Sequence, residues 1–368
     1  MDSLTQITLG AAVGEAVAGR KAGKSAPLWG AFFGTLPDLD VLANPFLTEA
    51  QSLLWHRGPS HSLLLAAVLT PLLALALARL HNDGPSWRRW ALLVGGVLFT
   101  HIGLDCLTTY GTQIFWPFTR TPVIIGSVFI IDPLYTVPLA AGLLIGFRWA
   151  PTARARRVAN YVGLTLSSAY LLLTLANKAY VEFVFQDALQ AQGLPTERVF
   201  TKPTAFNNLL WTAVAEDEDG FHVGFYSLLD EDHSVDFRYV PKRHDLLGDA
   251  ADSPFVERLR WFSRGYFIVR EPEPGTLTVQ DLRFGRSDLG LTRDGKYIFT
   301  FVLDRTDDGT VTGFQQRRPD MKVRWPLLRR FVARIGGRPL CLDATQSAPG
   351  RNNSVNGTVT VHRADRAD

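Results

Sequence analysis

Four long apolar runs constrain this chain more than any other feature of its sequence. They occupy Ser62–Leu80, Trp90–Leu107, Pro122–Phe147 and Val158–Ala176. Each is close to the ~20 residues that a helix needs to cross the hydrocarbon core of a bilayer. A soluble protein rarely needs four such helices so close together in its core. The runs therefore predict a helical membrane bundle rather than a soluble core.

Two weaker apolar stretches precede these runs, Leu4–Gly19 and Ala26–Leu42, with the basic turn RKAGKS between them. Both are rich in glycine and alanine, and small residues allow membrane helices to approach closely. We expect a helical hairpin here, either spanning or re-entrant. The first domain, residues 1–177, is thus an α-helical membrane bundle of about six membrane segments.

The charged second half, residues 178–345, predicts a small α+β, mainly antiparallel soluble domain. An amphipathic helix over Ala176–Gln192 leads out of the membrane, and a hairpin turns at Glu216–Gly220. Further strands are expected near Tyr266–Arg270, Leu277–Asp281, Tyr297–Leu303 and Thr310–Phe314, and helices over Pro254–Ser263 and Trp325–Ile335. The polar tail, 346–368, is expected to be disordered, although VTVH could form a strand.

Composition excludes several functions. The net charge of +3 is small and dispersed, so a nucleic-acid partner is not expected. Two cysteines, Cys106 and Cys341, provide neither a disulfide framework nor a thiolate zinc site. The first residues lack the basic start of a cleavable signal peptide.

The distribution of lysine and arginine orients the predicted bundle. Basic residues cluster in three turns that share one side if the six segments alternate, at 20–24, 79–89 and 148–157, whereas the opposite connections carry only Arg57 and Arg120. Cytoplasmic loops are enriched in such residues. We therefore expect a multi-pass protein of the cytoplasmic membrane with its C-terminal domain extracytoplasmic.

Ionisable residues cluster at the outer ends of the predicted segments. Three histidines and four carboxylates occur there: Asp38, Asp40, His56, His61, His101, Asp105 and Asp132. Nitrogen and oxygen ligands of this kind suit zinc, manganese or iron. The predicted metal ligands are Asp38, His56, His61, His101 and Asp105, with zinc the first choice and the number of metals and the oligomeric state left open.

Each element of this set also has a structural interpretation. Asp38 and Asp40 resemble a helix cap or turn, and His56 alone would suit the membrane interface. His101 and Asp105 are four residues apart and can simply pair with each other on one helix face. Glu15 can hydrogen-bond across helices. Asp132, inside an apolar run, favours a functional role because buried charge is costly in a membrane.

The residues together predict metal-assisted hydrolysis of a membrane lipid or lipid-linked ester, with phosphoesters favoured. Asp132 or Asp40 would accept the proton of the attacking water, and Arg57 would stabilise the developing negative charge. Two alternatives remain: a metal-ion transporter, or a metal-binding sensor or scaffold of the cell envelope. The C-terminal domain is expected to form a lid over the site or to bind a partner.

Four motifs resemble the bacterial inner-membrane metal-dependent hydrolase family, the YdjM-like proteins. They are MDSLTQITLGAAVGEA, GTLPDLDV, HRGPSHSLL and THIGLDCLTTYGT, and the resemblance covers residues 1 to about 180. It implies a multi-span inner-membrane protein with a metal centre and hydrolase activity. Many relatives carry histidine where this chain has Gln6. An amide is a poor metal ligand, so Gln6 is expected to orient a water or a carboxylate outside the ligand shell.

Overall fold

The N-terminal half of the protein is helical. The computed structural model describes residues 1–291, 295–306, 308–319 and 325–338. Its first seven helices are α1 (Ser3–Ala22), α2 (Ser25–Thr35), α3 (Glu49–Trp55), α4 (Leu63–Leu80), α5 (Trp87–Cys106), α6 (Pro133–Gly146) and α7 (Arg154–Ala191). Two 3₁₀ segments, Leu36–Phe46 and Pro59–His61, lie between α2 and α4.

Two antiparallel four-stranded sheets follow the helical region. The first has the order β1 (Val199–Pro203), β2 (Leu210–Glu216), β3 (Gly220–Ser227) and β4 (Arg238–Pro241). A 3₁₀ segment, His244–Asp252, and α8 (Pro254–Ser263) connect it to the second sheet. That sheet comprises β5 (Phe267–Glu273), β6 (Thr276–Arg286), β7 (Tyr297–Arg305) and β8 (Val311–Arg317), and α9 (Trp325–Ile335) follows it.

These elements confirm the predicted hairpin, the four further strands and both short helices. β1 and β4 were not predicted. β4 has only four residues, too few for a clear alternation of apolar and polar side chains. The expected disordered tail and its VTVH strand lie outside the described residues.

The glycine-rich hairpin is confirmed as α1 and α2, packed directly backbone to backbone. A Cβ atom on Gly10 would lie 2.2 Å from the carbonyl oxygen of Gly30, and one on Gly14 would lie 2.4 Å from that of Ala26. Only glycine fits at such distances, which is how small residues bring two helices into close contact.

Two helices of the described residues, α4 and α7, are long and apolar enough to cross a membrane. Only 17% and 22% of their apolar windows are buried inside the protein, so most of these side chains face outwards. A core helix of a soluble protein would be mostly buried. The two candidate spans support the membrane bundle, whereas membrane crossing by Leu4–Gly19, Ala26–Leu42 and Trp90–Leu107 remains a prediction.

The predicted segment Pro122–Phe147 is wrong in its first half. Residues 122–132 are not helical, and α6, with 14 residues, begins only at Pro133. Its length of about 21 Å is below the ~30 Å of the hydrocarbon core. The apolar chain before it is held by backbone bonds to the end of α5, from Ile125 N to Cys106 O and from Ser127 N to Leu107 O. Hydropathy alone does not distinguish such an apolar non-helical segment from a membrane helix.

The predicted span Val158–Ala176 and the amphipathic helix predicted after it form one helix. α7 runs without interruption from Arg154 to Ala191, 38 residues. Its second half packs under the first sheet, where Val181, Val184 and Phe185 join a buried cluster with Trp211. The helical and β-strand regions are therefore connected by continuous helix.

Candidate metal centre

Three separate parts of the chain bring four ligand-type side chains to one point. Asp38 lies near the start of the 3₁₀ segment Leu36–Phe46, directly after α2. His61 ends the short turn before α4. His101 and Asp105 are one turn apart on α5, so both project from the same face.

The reactive atoms of these four residues are within contact distance. The Nε2 atoms of His61 and His101 are 3.2 Å apart. Asp105 Oδ2 lies 3.1 Å from His61 Nε2 and 3.6 Å from His101 Nε2. Asp38 Oδ1 lies 3.4 Å from His61 Nε2 and 3.7 Å from His101 Nε2. One donor atom from each residue falls within 4.8 Å of all the others. We call Asp38, His61, His101 and Asp105 the Asp/His cluster.

The hydrogen bonds of the cluster leave its inner atoms available for a cation. His101 Nδ1 is 2.8 Å from the carbonyl oxygen of Gly34, which can only accept, so Nδ1 carries the proton and Nε2 presents a lone pair to the cluster. Asp105 Oδ2 is buried and has no hydrogen-bond partner among the described residues. A metal-bound histidine usually donates its other ring N–H to a carbonyl or carboxylate. The donor set therefore fits a divalent cation.

The burial of His61 and the charges around it also favour a bound cation. Burial alone would lower the pKa of His61, but the neighbouring Asp105 and Asp38 carboxylates raise it above its usual value. The negative field that favours a proton there also favours a metal ion. His61, His101 and Asp105 are almost fully buried, while the Asp38 side chain is 17% exposed. The cluster is thus open on the Asp38 side.

The second oxygen of Asp105 is held by donors around the cluster. Arg57 Nη2 lies 3.2 Å from Asp105 Oδ1, and Gln6 Nε2 donates to the same oxygen at 3.1 Å. The amino group of Met1 also contacts it. Arg57 is buried and donates from Nη1 to Thr108 Oγ1 at 3.0 Å. Gln6 thus bonds a carboxylate, but that carboxylate is Asp105 of the Asp/His cluster and not one outside the ligand shell.

Asp40 and His56 lie beside the cluster. Asp40 accepts hydrogen bonds from Arg57 N at 2.8 Å and Ser60 Oγ at 3.2 Å, and it lies 3.0 Å from His56 Nδ1. The His56 ring is directed to Asp40, and its centroid is 6.5 Å from that of His61. Asp40 thus fixes the turn that carries His61, and the structure does not bring His56 into the Asp/His cluster.

Asp132 occupies a different place. It caps α6, accepting from Leu134 N at 3.0 Å and from the Tyr170 hydroxyl at 2.8 Å. Neither hydrogen bond reaches the Asp/His cluster. Its predicted position inside a span was wrong because the preceding residues are not helical, so Asp132 lies at a helix start.

One contributor was not predicted, the Gly34 carbonyl that orients His101. Every residue has a backbone carbonyl, so residue type does not reveal which carbonyl accepts a hydrogen bond. An indirect signal exists, since Gly10, Gly14, Gly30 and Gly34 recur at a spacing of four and bring α2 close to α1.

Comparison with known proteins identifies a family for the N-terminal half of the chain. The model of the YdjM inner membrane protein family matches residues 1–181, which include the whole Asp/His cluster, Arg57 and Gln6. The match ends within α7, before the first strand. No curated protein and no solved structure gives a match. Residues 1–181 of this chain therefore belong to the YdjM inner membrane protein family.

Proposed function

We propose that this protein is a membrane-bound, metal-dependent hydrolase acting on a phosphoester or other ester of a membrane-associated substrate. The observation that carries the proposal is the Asp/His cluster, in which two imidazoles and two carboxylates meet within 4.8 Å. A buried group of this composition is costly without a cation to balance it. The proposal rests on this geometry together with the family's inner-membrane character.

The donor set suits zinc first, with manganese or iron as alternatives. Asp38, His61, His101 and Asp105 would hold the cation. A divalent cation there would lower the pKa of bound water towards ~7 and so supply hydroxide near neutral pH.

Two neighbouring residues have positions that suit roles in hydrolysis. Asp40 Oδ2 lies 3.9 Å from His61 Nδ1, so we favour Asp40 over Asp132 as the proton acceptor. Arg57 Nε is buried and has no hydrogen-bond partner among the described residues. That N–H, with the charge of the guanidinium, would stabilise negative charge on a phosphoryl or acyl oxygen.

The β-strand region covers part of the site, as a lid would. The Cζ atom of Arg57 lies 5.2 Å from the centroid of the Tyr110 ring. The centroid of that ring is 5.4 Å from that of Phe262 in α8 and 6.4 Å from that of Phe299 in β7. Trp261 Nε1 donates to Arg120 O in the loop below. These contacts support the interpretation of the C-terminal domain as a lid.

The position of the cluster supports the proposed substrate class. Asp38, on the open side, belongs to a segment whose neighbours Val41, Leu42 and Phe46 are exposed apolar residues. Such a surface suits a lipid phosphoester or lipid-linked substrate that partitions into the bilayer. We place the cluster and the C-terminal domain on the extracytoplasmic side, as the basic turns predict.

Metal content and hydrolysis are measured on the full-length protein in detergent. We expect wild type to bind a stoichiometric amount of zinc, manganese or iron, and to hydrolyse at least one member of a panel of lipid phosphates. His61→Ala and His101→Ala should lose both, because each removes an imidazole ligand. The matched control is His56→Ala, which should retain the metal because its ring bonds to Asp40.

The outcomes separate the rival functions. Equal metal content in wild type, His61→Ala and His101→Ala would refute the site. Metal binding without hydrolysis would favour the sensor or scaffold. Metal uptake into vesicles by wild type but not His101→Ala would favour the transporter.

A further inference from the structure

A large cavity lies between the two sheets, away from the Asp/His cluster. Its volume is about 1130 Å³, slightly above the 300–1,000 Å³ typical of small-molecule sites. Alternate residues of β6 line one wall, as expected where one strand face points inwards. They are Gln280, Leu282, Phe284 and Arg286. The first sheet contributes Val223 and Phe225 of β3.

Positive charge is concentrated at one place in this cavity. Tyr297 stands opposite Arg286 in the β6–β7 ladder. Burial raises the pKa of Tyr297, and the charges of Arg286, Arg270 and Arg238, which all line the cavity, oppose that rise. Among the described residues, neither Arg238 nor Arg270 has an acidic partner within 4.0 Å, whereas Arg286 pairs with Asp288 at 3.1 Å. This arrangement is suited to an oxyanion.

A buried lysine adds to this charge. Lys202 of β1 lines the same cavity, and its Nζ donates to Phe284 O at 3.3 Å. Burial lowers the pKa of Lys202 to about 8. Among the described residues, the acidic side chains that line the cavity belong to residues 230–236, and Asp230 is paired with Arg334. The basic region therefore has capacity for an anionic ligand.

The cavity opens beside the membrane region. Phe129 and Ile131, which precede α6, line it together with Phe206. Ile131 is 44% exposed and Phe206 is 56% exposed, so they mark its apolar opening. Asn208 ties this edge to the loop before α6 through Ser127 O at 2.7 Å. An acyl chain leaving the bilayer would meet apolar side chains at this opening.

We propose that the cavity between the two sheets binds a membrane lipid phosphate, with an acyl chain along its apolar wall and the phosphate beside Arg238, Arg270 and Arg286. Apolar lining, a basic group and an opening beside the membrane together select this ligand over a free anion or a neutral lipid. The polar residues 346–368 are a poor match for the apolar wall. The binding is separate from the proposed hydrolysis and needs no metal.

The test uses full-length protein in mild detergent and native mass spectrometry. The probes are dioleoyl phosphatidic acid, dioleoylglycerol and inorganic phosphate. We expect wild type to retain phosphatidic acid at least about tenfold more strongly than either of the others, since charge-assisted bonds and acyl contacts both contribute.

Two variants probe the two halves of the ligand independently. Gln280→Trp places a bulky side chain against the acyl-chain path in the cavity, and the pair Arg238→Gln with Arg270→Gln removes its unpaired charge; each should lower retention about tenfold. Arg260→Gln, which changes an exposed arginine of α8 outside the cavity, is the matched control. Unfolding temperatures identify any variant that fails to fold. The proposal is then tested by lipid retention in the variant that does fold.

Several results would overturn the proposal. Equal retention by wild type and both variants would place the lipid on the outer surface of α4 and α7. Inorganic phosphate bound as tightly as phosphatidic acid would exclude the acyl chain. If the protein retained lipid only after removal of residues 339–368, that segment would be the occupant of the cavity in the full-length protein. His101→Ala should leave retention unchanged, which keeps this test independent of the metal centre.

Discussion

At the residue scale, the buried charges divide into two kinds. Asp105 has one oxygen held by Arg57 and Gln6, whereas the other has no hydrogen bond among the described residues. Glu15 instead uses both oxygens, accepting from Arg156 Nε and Nη2 at 2.7 Å each. Glu15 and Arg156 thus satisfy each other in a bidentate pair between α1 and α7. A complete pair indicates a structural role, and an incomplete one indicates a ligand site.

The Glu15–Arg156 pair predicts a large loss of stability when it is broken. Arg156→Leu should lower the free energy of unfolding by about 3–5 kcal/mol, because it leaves a buried carboxylate unpaired. The double variant Glu15→Leu with Arg156→Leu should recover most of that loss. Denaturant titration in detergent provides the measurement. The control is Glu182→Gln, expected to change stability by no more than about 1 kcal/mol, because the Glu182 side chain is 42% exposed and Lys178 keeps its hydrogen bonds to Thr201. Equal losses in the single and double variants would contradict the prediction.

The sequence predicts most of the site at this scale, and its failures have a physical cause. Spacing on α5 identifies His101 and Asp105 because a helix fixes which side chains share a face. His56 and His61 are equally good candidates in sequence. Their directions depend on the turn between them, where Arg57 adopts the left-handed region with φ of 55°. Residue type does not reveal that conformation.

At the element scale, the contact between α1 and α2 determines how His101 is oriented. Gly34 brings its carbonyl to His101 Nδ1 because α2 lies against α1 at glycine distance. The glycine-rich composition predicts the hairpin, but the ligand it supports is contributed by a third helix. Long-range contacts of this kind are not encoded in local periodicity, which is why α6 was also predicted too long.

Substitution in this hairpin should therefore weaken metal binding from a distance. A Cβ on Gly34 would lie 2.5 Å from Gln6 O, so Gly34→Ala forces α2 to shift. We expect the metal affinity to fall about 10- to 100-fold, as for other residues that orient a ligand. Gly103→Ala, on α5 with nothing within 4 Å of its Cβ, is the matched control. Competition with a chromophoric chelator measures both, and an unchanged affinity for Gly34→Ala would remove Gly34 from the site.

At the scale of the whole molecule, the helical and β-strand regions form a connected unit around the candidate site. Tyr110 joins them, since its ring contacts Arg57 on one side and Phe262 and Phe284 on the other. Phe284 also lines the cavity between the sheets. Phe284 of the cavity wall and Tyr110 thus form a line of contacts that leads to the arginine beside the cluster.

The proposed orientation predicts which residues an impermeant reagent reaches in intact cells. Ser234 is exposed in the β-strand region and should lie outside, whereas Ser86, exposed between α4 and α5, should lie in the cytoplasm. Single cysteines at these positions, in a background lacking Cys106 and Cys341, are treated with a membrane-impermeant maleimide. We expect Ser234→Cys to react in intact spheroplasts and Ser86→Cys only after lysis. The reverse pattern would invert the topology.

The uninterrupted α7 has a mechanical consequence. Its 38 residues extend about 57 Å, so as a membrane span it would project past a ~30 Å hydrocarbon layer by roughly half its length. A span with a stiff extension responds to a thinner or thicker bilayer by tilting as a rod. The β-strand region would swing with that rod, and the clearance between it and the lipid surface would then depend on bilayer thickness.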